Sequence, residues 1–402
     1  MILNYEGKKS EKEILDSIKP IFLKPVSGNP KSKSKLIKGE NLEVMKYLID
    51  KWDLKGKIDL VYIDPPFSTN NIFRMSKDKA NTISRSNGDN IAYDDSLIGA
   101  EFLEFMRERL ILLRELLSDR GSIYVHIDYK IGHYIKVLMD EIFGKKNFLN
   151  DLTRIKCNPK NFERKAYGNI KDMILFYSKT GNHIWNNPKA PMSEEDIKRL
   201  FKKIDKDGRR YTTIPLHAPG ETTNGATGQS WRGMMPPKGR HWRCSPSELE
   251  ELDKQGLIEW SKTGVPRKKI YADEKNGKKI QDILEFKDLQ NPSYPTEKNL
   301  ELLKLIVNAS SNKGSIVLDC FCGSGTTLKA AQELGRSWIG IDKSEEAINV
   351  ALKKLTSNQR TITGEEEFEY LEQVSNSENI NIILDSEHLP KKESQKLGTI
   401  KE

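Results

Sequence analysis

Val317-Leu318-Asp319-Cys320-Phe321-Cys322-Gly323-Ser324-Gly325-Thr326-Thr327 runs from an apolar strand through a glycine-paired turn into a helix. Gly323 and Gly325 let the backbone turn tightly and approach a ligand closely, where a helix N-terminus presents unpaired N–H groups. The next apolar strand, 337–341, ends at Asp342, near the spacing of about 20 residues at which an acid commonly meets a ribose hydroxyl. Leu328 stands where a G-x-G-x-x-G fingerprint has its last glycine, so the strict dinucleotide pattern is absent. The run predicts a nucleotide-type site on an α/β fold.

Further strands and helices alternate outward from it. Leu36-Ile37-Lys38 reads as a short strand, and Gly39-Glu40-Asn41 turns into a helix with Leu42, Met45, Leu48 and Ile49 on one face. Ile58–Ile63 is nearly all apolar, as suits a parallel strand buried on both faces. Phe102, Phe105, Met106, Leu110, Leu113 and Leu117 form a helical core stripe, followed by a buried strand at 122–127 that holds His126 as a structural residue. Another helix runs through Ile135 to Phe143, and Met173–Tyr177 is a further strand. Pro295-Thr296-Glu297-Lys298 opens a helix through Ile306, and helices follow at 326–334 and 344–355. This alternation predicts a doubly wound parallel sheet with right-handed crossovers.

The strand Ile58–Ile63 ends in Asp64-Pro65-Pro66-Phe67. This tetrapeptide resembles the catalytic motif of DNA amino-methyltransferases, whose target, an exocyclic amine on a base, is a poor nucleophile because its lone pair is delocalised into the ring. The Asp64 carboxylate and the Pro65 carbonyl would accept from its two N–H groups and localise that pair. Prolines stiffen the turn that holds both acceptors, and Phe67 would stack on a base drawn out of the duplex. The polar segment 68–96 reads as a long loop at this site, a lid or binding loop.

The chain has 402 residues, of which 36% are hydrophobic and 31% charged, and carries a formal net charge of +8. That balance favours a polyanion partner, most simply nucleic acid. Four cysteines in this length make no disulfide framework, and Cys320 and Cys322 lack partner ligands at finger-like spacing, so no metal is expected. The N-terminus has no apolar signal core, and no stretch approaches a membrane span, which predicts a soluble cytoplasmic protein.

Composition and pattern divide the chain into an N-terminal polar arm (1–34) with a flexible linker, an α/β part that holds the Asp64 motif (35–180), a basic-aromatic region (181–290), a second α/β part that holds the glycine loop (291–356) and a C-terminal extension (357–402) with strand-like runs at 368–371 and 380–384. In the basic-aromatic region Ser245, Pro246, Glu248 and Gly256 write a capped helix. Arg232, Arg240, Arg243, Arg267, Lys268 and Lys269 are the candidates to reach phosphates or guanine edges.

Taken together, Asp64-Pro65-Pro66-Phe67 followed far downstream by the Asp319–Gly325 loop resembles the β class of adenine-N6/cytosine-N4 DNA methyltransferases, over residues 36–355. The resemblance implies a circularly permuted methyltransferase sheet, with Asp64, Pro65, Pro66 and Phe67 catalytic. It implies S-adenosylmethionine as cofactor, contacted by Pro295, Thr296 and Lys298, by Asp319, Phe321, Gly323, Gly325 and Thr326, and by Asp342 at the ribose. Glu40 would lie near the cofactor adenine, with Glu in place of the usual Asp, and Tyr294 replaces the usual histidine before Pro-Thr. Met173–Lys179 resembles a strand whose aromatic helps hold the flipped base, through Phe176 or Tyr177. The resemblance makes 35–180 the catalytic part and 291–356 the cofactor-binding part of one methyltransferase domain, with 181–290 the target-recognition region. Duplex DNA is the implied partner, and the resemblance admits a companion restriction endonuclease and a homodimer.

Asp64 points to adenine N6, since Ser-Pro-Pro is commoner among the cytosine-N4 relatives. Cytosine-C5 chemistry needs a nucleophilic cysteine, typically after a proline, and none of Cys157, Cys244, Cys320 and Cys322 follows one. The alternatives are a cytosine-N4 DNA methyltransferase, an RNA or protein methyltransferase and a non-catalytic DNA-binding module. The intact Asp64 and glycine loop weigh against the last.

Overall fold

The computed structural model describes residues 2–65, 99–159, 165–290, 292, 294, 297–356 and 367–374, and the backbone of 72–75 and 90–94. It divides into two compact units, one of residues 1–186 and 281–402, the other of 187–280.

The larger unit is built on ten strands: β1 (Phe22–Gly28), β2 (Lys35–Lys38), β3 (Ile58–Ile63), β4 (Leu117–Ile127), β5 (Phe148–Ile155), β6 (Lys171–Ser178), β7 (Ile283–Glu285), β8 (Ile316–Asp319), β9 (Ser337–Asp342) and β10 (Glu369–Val374). Their order in the sheet is β1-β10-β2-β9-β8-β3-β4-β6-β5-β7. The central strands β2, β9, β8, β3 and β4 are parallel. β8 and β9 come from the C-terminal third yet sit between β2 and β3, so the sheet is permuted in sequence and continuous in space.

Burial on both faces explains why these strands read as apolar runs. Ile58, Leu60, Val61 and Ile63 of β3 are fully buried. Helix α2 (Asn41–Asp50) buries Val44, Met45 and Leu48, α3 (Ala100–Leu116) buries Phe102, Met106, Leu110 and Leu113, and α4 (Tyr129–Met139) buries Ile135 and Leu138. These residues join one core with Ile37, Ile123, Val125 and Leu318. Truncating such a side chain to alanine costs about 2–5 kcal/mol.

Four expectations need correction. The sheet is mixed, because β6 runs antiparallel to both β4 and β5. The N-terminal arm is ordered: α1 (Glu11–Ser17) carries a Ser10–Glu13 capping box and buries Ile14 in the core, and β1 pairs antiparallel with β10. Pro25 fits there because β1 is an edge strand, where a missing N–H costs no ladder bond. The strand-like run expected at 368–371 is present as β10, between β1 and β2. The segment after Asp64 includes two short paired strands, Ile72–Met75 and Asn90–Asp94. Finally, α5 (Leu300–Ser310) starts later than Pro295, because the Asn299 side chain caps it by accepting from the amides of Glu301 and Leu302. Run 380–384 lies outside the described residues.

The smaller unit has a four-stranded antiparallel sheet that includes Arg210–Pro215, Pro266–Tyr271 and Ile258–Trp260, and a separate pairing of His217–Pro219 with Arg240–Trp242. Trp231, Trp242, Leu216, Leu249 and Ile258 are its core, so two of its tryptophans serve packing. The helix Pro246–Lys254 has the predicted Ser245–Glu248 capping box, with Pro246 in its first turn. The unit ends before Ile283, because the short apolar run Ile283–Glu285 returns to the large sheet beside β5.

Candidate active site

β3, β8 and β9 are adjacent and parallel, so their carboxyl ends bring Asp64, Asp319 and Asp342 to one rim. Asp64 follows β3 directly and is partly buried. Its Oδ2 accepts from the Lys298 ammonium, and its Oδ1 is buried with no hydrogen-bond partner among the described residues. Pro65 is buried beside it, whereas Pro66, Phe67, Pro295 and Thr296 lie outside the described residues.

Asp319 ends β8, is fully buried, and accepts from the Phe321 amide at 3.0 Å and from Thr327. Burial pushes its carboxyl up to about 7, and the charges of Asp64 and Asp342 add to the shift. Asp342 ends β9 and accepts from the amides of Gly323 at 2.8 Å and Ser344 at 2.9 Å. Burial raises its carboxyl too, against those two bonds. Gly323 (φ 48°) and Gly325 (φ 75°) both occupy the left-handed region, and Gly325 precedes α6 (Thr326–Glu333). Cys320 and Cys322 are buried, and burial raises both thiols well above their ordinary range.

Two positions escaped sequence reading. Lys354, in α7 (Glu345–Thr356), reaches Glu297 at 2.6 Å, Ser324 Oγ at 2.9 Å and Thr326 Oγ1 at 3.0 Å. One ammonium thus ties the glycine loop to the segment around Lys298. Arg109 is the other, hidden inside a helix whose apolar stripe dominates its reading. It donates to Asn41 Oδ1 at 2.7 Å and to Glu40 Oε1 at 2.5 Å, and its guanidinium lies 3.5 Å from the Phe105 ring centre. Asn41 in turn donates to the Cys320 carbonyl at 2.8 Å, and Phe105 packs on Phe321. Asn at a helix start signals a cap; nothing in the sequence pairs it with Arg109.

A cavity of about 850 Å³ opens at the carboxyl ends of β2 and β9, lined by Lys38, Gly39, Glu40, Glu43, Lys343 and Gln373 among others. Glycine is required at 39: a Cβ there would lie 2.6 Å from Gln373 Oε1 and 2.9 Å from Val44 Cγ2. Gln373 Oε1 also accepts from the Glu40 amide at 2.7 Å. Phe176 is buried against Tyr124 at 4.1 Å between ring centres, and the buried Tyr177 donates to Asp140, so both serve packing.

In the smaller unit the basic candidates separate. Arg232 is paired with Glu250 and Asp253, both at 2.7 Å, and Lys269 with Asp205 at 2.7 Å. Arg240, Arg243 and Arg267 instead surround His217; burial first and their charges next lower its ring pKa. Arg240 lies 3.3 Å from His217 Nδ1, Arg243 donates to the Pro215 carbonyl and Arg267 to Thr213. Lys268 lies beside Arg267 on the strand Pro266–Tyr271. Among the described residues no group of His, Cys, Asp and Glu is placed to hold a metal ion, and no helix is long and apolar enough to cross a membrane.

Residues 58–353 match the family model described as DNA methylase, and 311–401 match a methyltransferase domain. The chain is 43% identical to the type II methyltransferase M.EcaI of Enterobacter cloacae, over 88% of this chain and 77% of that one. It is 26% identical to the StyLTI Mod subunit, a type III restriction–modification enzyme of Salmonella typhimurium, over 82% of this chain and 55% of that one, so it spans about half of that relative. It is also similar to the solved PvuII DNA methyltransferase, cytosine-N4-specific, at 13% identity and a TM-score of 0.45, over 83% of this chain and 92% of that one. The matched family model covers most of the large sheet and every acidic strand end on its rim, and the chain belongs to the DNA methylase family, the S-adenosylmethionine-dependent DNA methyltransferases of restriction–modification type.

Proposed function

We propose that this chain methylates adenine at N6 in duplex DNA, at a specific sequence. The observation that carries the reading is the Asp64 carboxylate: it follows the β3 strand end, and its Oδ1 is buried without a partner among the described residues. A buried carboxylate oxygen left unpaired costs free energy unless a donor arrives. The amino group of a flipped adenine is such a donor. Asp64 Oδ1 and the Pro65 carbonyl would accept its two N–H bonds and localise the nitrogen lone pair. Lys298 holds the other Asp64 oxygen in place, which limits the rotation of the acceptor.

The residues around the rim fit the cofactor. The glycine loop offers close backbone approach, and the cavity beside Gly39, Glu40 and Lys343 has room for an adenosine. The carboxyls of Asp64, Asp319 and Asp342 suit a cationic centre. Bound there, S-adenosylmethionine supplies a methyl group on a positively charged sulfur. Asp319, Phe321, Gly323, Gly325 and Thr326 would hold its methionine end with Pro295, Thr296 and Lys298, and Asp342 its ribose. No covalent bond between enzyme and base is needed.

The smaller unit would supply target recognition, with Arg240, Arg243, Arg267 and Lys268 as its available cations and duplex DNA as partner. Arg232 and Lys269 fit this role less well, because each already has a carboxylate partner. Asp64→Ala tests the mechanism: methyl transfer falls at least about 100-fold, the scale of a lost reaction-centre hydrogen bond, while cofactor binding persists. Turnover near the parent rate in that variant would sink it.

A further inference from the structure

A buried chain of hydrogen bonds crosses four adjacent strands beneath the rim. The Tyr62 hydroxyl on β3 meets His126 Nδ1 on β4 at 2.8 Å, and His126 Nε2 meets Asp172 Oδ2 on β6 at 3.2 Å. Asp172 is completed by Arg154 of β5 at 3.3 Å and by Lys156, just past the end of β5, at 2.6 Å. Tyr62, His126, Asp172 and Arg154 are all buried. Tyr62 lies two residues before Asp64, near enough that the Asp64 charge acts on its hydroxyl.

The direction of this chain is fixed by its end. Burial opposes the charge on Asp172, but the His126 bond and the Lys156 ammonium outweigh it and hold the carboxyl far below its usual range. An ionised carboxylate only accepts, so His126 Nε2 must carry the proton. Burial keeps the imidazole neutral in spite of Asp172, so Nδ1 is bare and must accept. The Tyr62 phenol stays protonated, first through burial and then through the charge of Asp64, and its one O–H goes to His126. That hydroxyl is therefore withheld from Asp64.

We propose that Asp172 is a positioning residue for methyl transfer: through His126 it commits the Tyr62 hydroxyl away from Asp64 and keeps Asp64 Oδ1 open as an acceptor. This rests on the reading of Asp64 as the acceptor for the base amine. Without the anchor the relay reverses. The carboxamide of Asp172→Asn donates to Nε2, the ring proton moves to Nδ1, and the Tyr62 hydroxyl turns to the unpaired Asp64 oxygen and competes with the substrate.

The test uses the full chain, with single-turnover methylation of duplex DNA and equilibrium binding of S-adenosylmethionine. Asp172→Asn slows transfer about tenfold, the worth of one competing hydrogen bond, with cofactor affinity kept. Adding Tyr62→Phe, which has no hydroxyl to release, restores most of the rate. A double variant as slow as Asp172→Asn, or slower, overturns the proposal. Nitrogen NMR of the His126 ring in the parent protein gives an answer even where Asp172→Asn does not fold: the Nε2–H tautomer supports the relay, and the Nδ1–H tautomer overturns it. Asp64→Ala separates the two readings. If it turns over, the acceptor role fails; if it is inactive while the double variant stays slow, only the relay fails.

Discussion

Lys298 donates to Oδ2 of Asp64 across 234 positions of sequence, joining the segment expected to contact the cofactor to the first residue of the proposed catalytic motif. Their side chains are only 11% and 17% exposed. Removing one partner of a buried pair strands the other charge, at a cost of about 3–5 kcal/mol. Lys298→Met and Asp64→Asn should each lower stability in urea melts. The double variant should lose less than the sum, by a coupling of about 1–3 kcal/mol. Additive losses would show that the two groups are energetically independent.

Asp319 makes stability depend on pH. Its folded carboxyl titrates near 7, well above the ordinary value of 3.8. Between those values the folded state holds a proton that the unfolded state has lost. The contribution is therefore fully present at low pH and disappears as pH rises through about 7. Asp319→Asn keeps the shape without the titration. Compared with the parent from pH 4.5 to 8, it should gain relative stability as pH rises, on the order of 2–4 kcal/mol. A constant difference across that range would contradict the shift.

Much of this site was legible in the sequence. The three acids that end β3, β8 and β9 are each announced by an apolar run that stops at a carboxylate, and permutation follows from the order of the motifs. What escaped needs long-range geometry. Lys354 and Arg109 lie inside regular helices, where surface or stripe residues look alike until the opposite loop is in place. The arm escaped because β1 is an exposed edge strand interrupted by Pro25, with little hydrophobic periodicity to mark it. Its capping box at Ser10 and Glu13 was written in the sequence and outweighed by the polar composition around it. Arg232 looked available for DNA because its partners, Glu250 and Asp253, lie a helix away in sequence.

Lys354 offers a separate test of the cofactor site. Lys354→Met removes its bonds to Glu297, Ser324 and Thr326 without touching the rim acids. Affinity for S-adenosylmethionine should fall about tenfold, roughly 1.4 kcal/mol, while single-turnover transfer from the saturated complex changes little. A fall in rate with unchanged affinity would place Lys354 in the chemistry instead.

The cations of the smaller unit should sort by salt dependence. Each phosphate contact contributes about 0.9 to the slope of log affinity against log salt. Arg240→Ala and Arg267→Ala should each flatten that slope by nearly one. Arg232→Ala should leave it unchanged, because Glu250 and Asp253 already neutralise the guanidinium. An equal effect from all three would mean that Arg232 exchanges its carboxylates for phosphate.

The most direct measurement is methyl transfer from labelled S-adenosylmethionine to unmethylated duplex DNA, with the product digested to nucleosides and identified by mass. The label should appear as N6-methyladenine in the parent protein and vanish in Asp64→Ala. N4-methylcytosine would contradict the base assignment, and no transfer to DNA by a protein that binds the cofactor would contradict the activity itself.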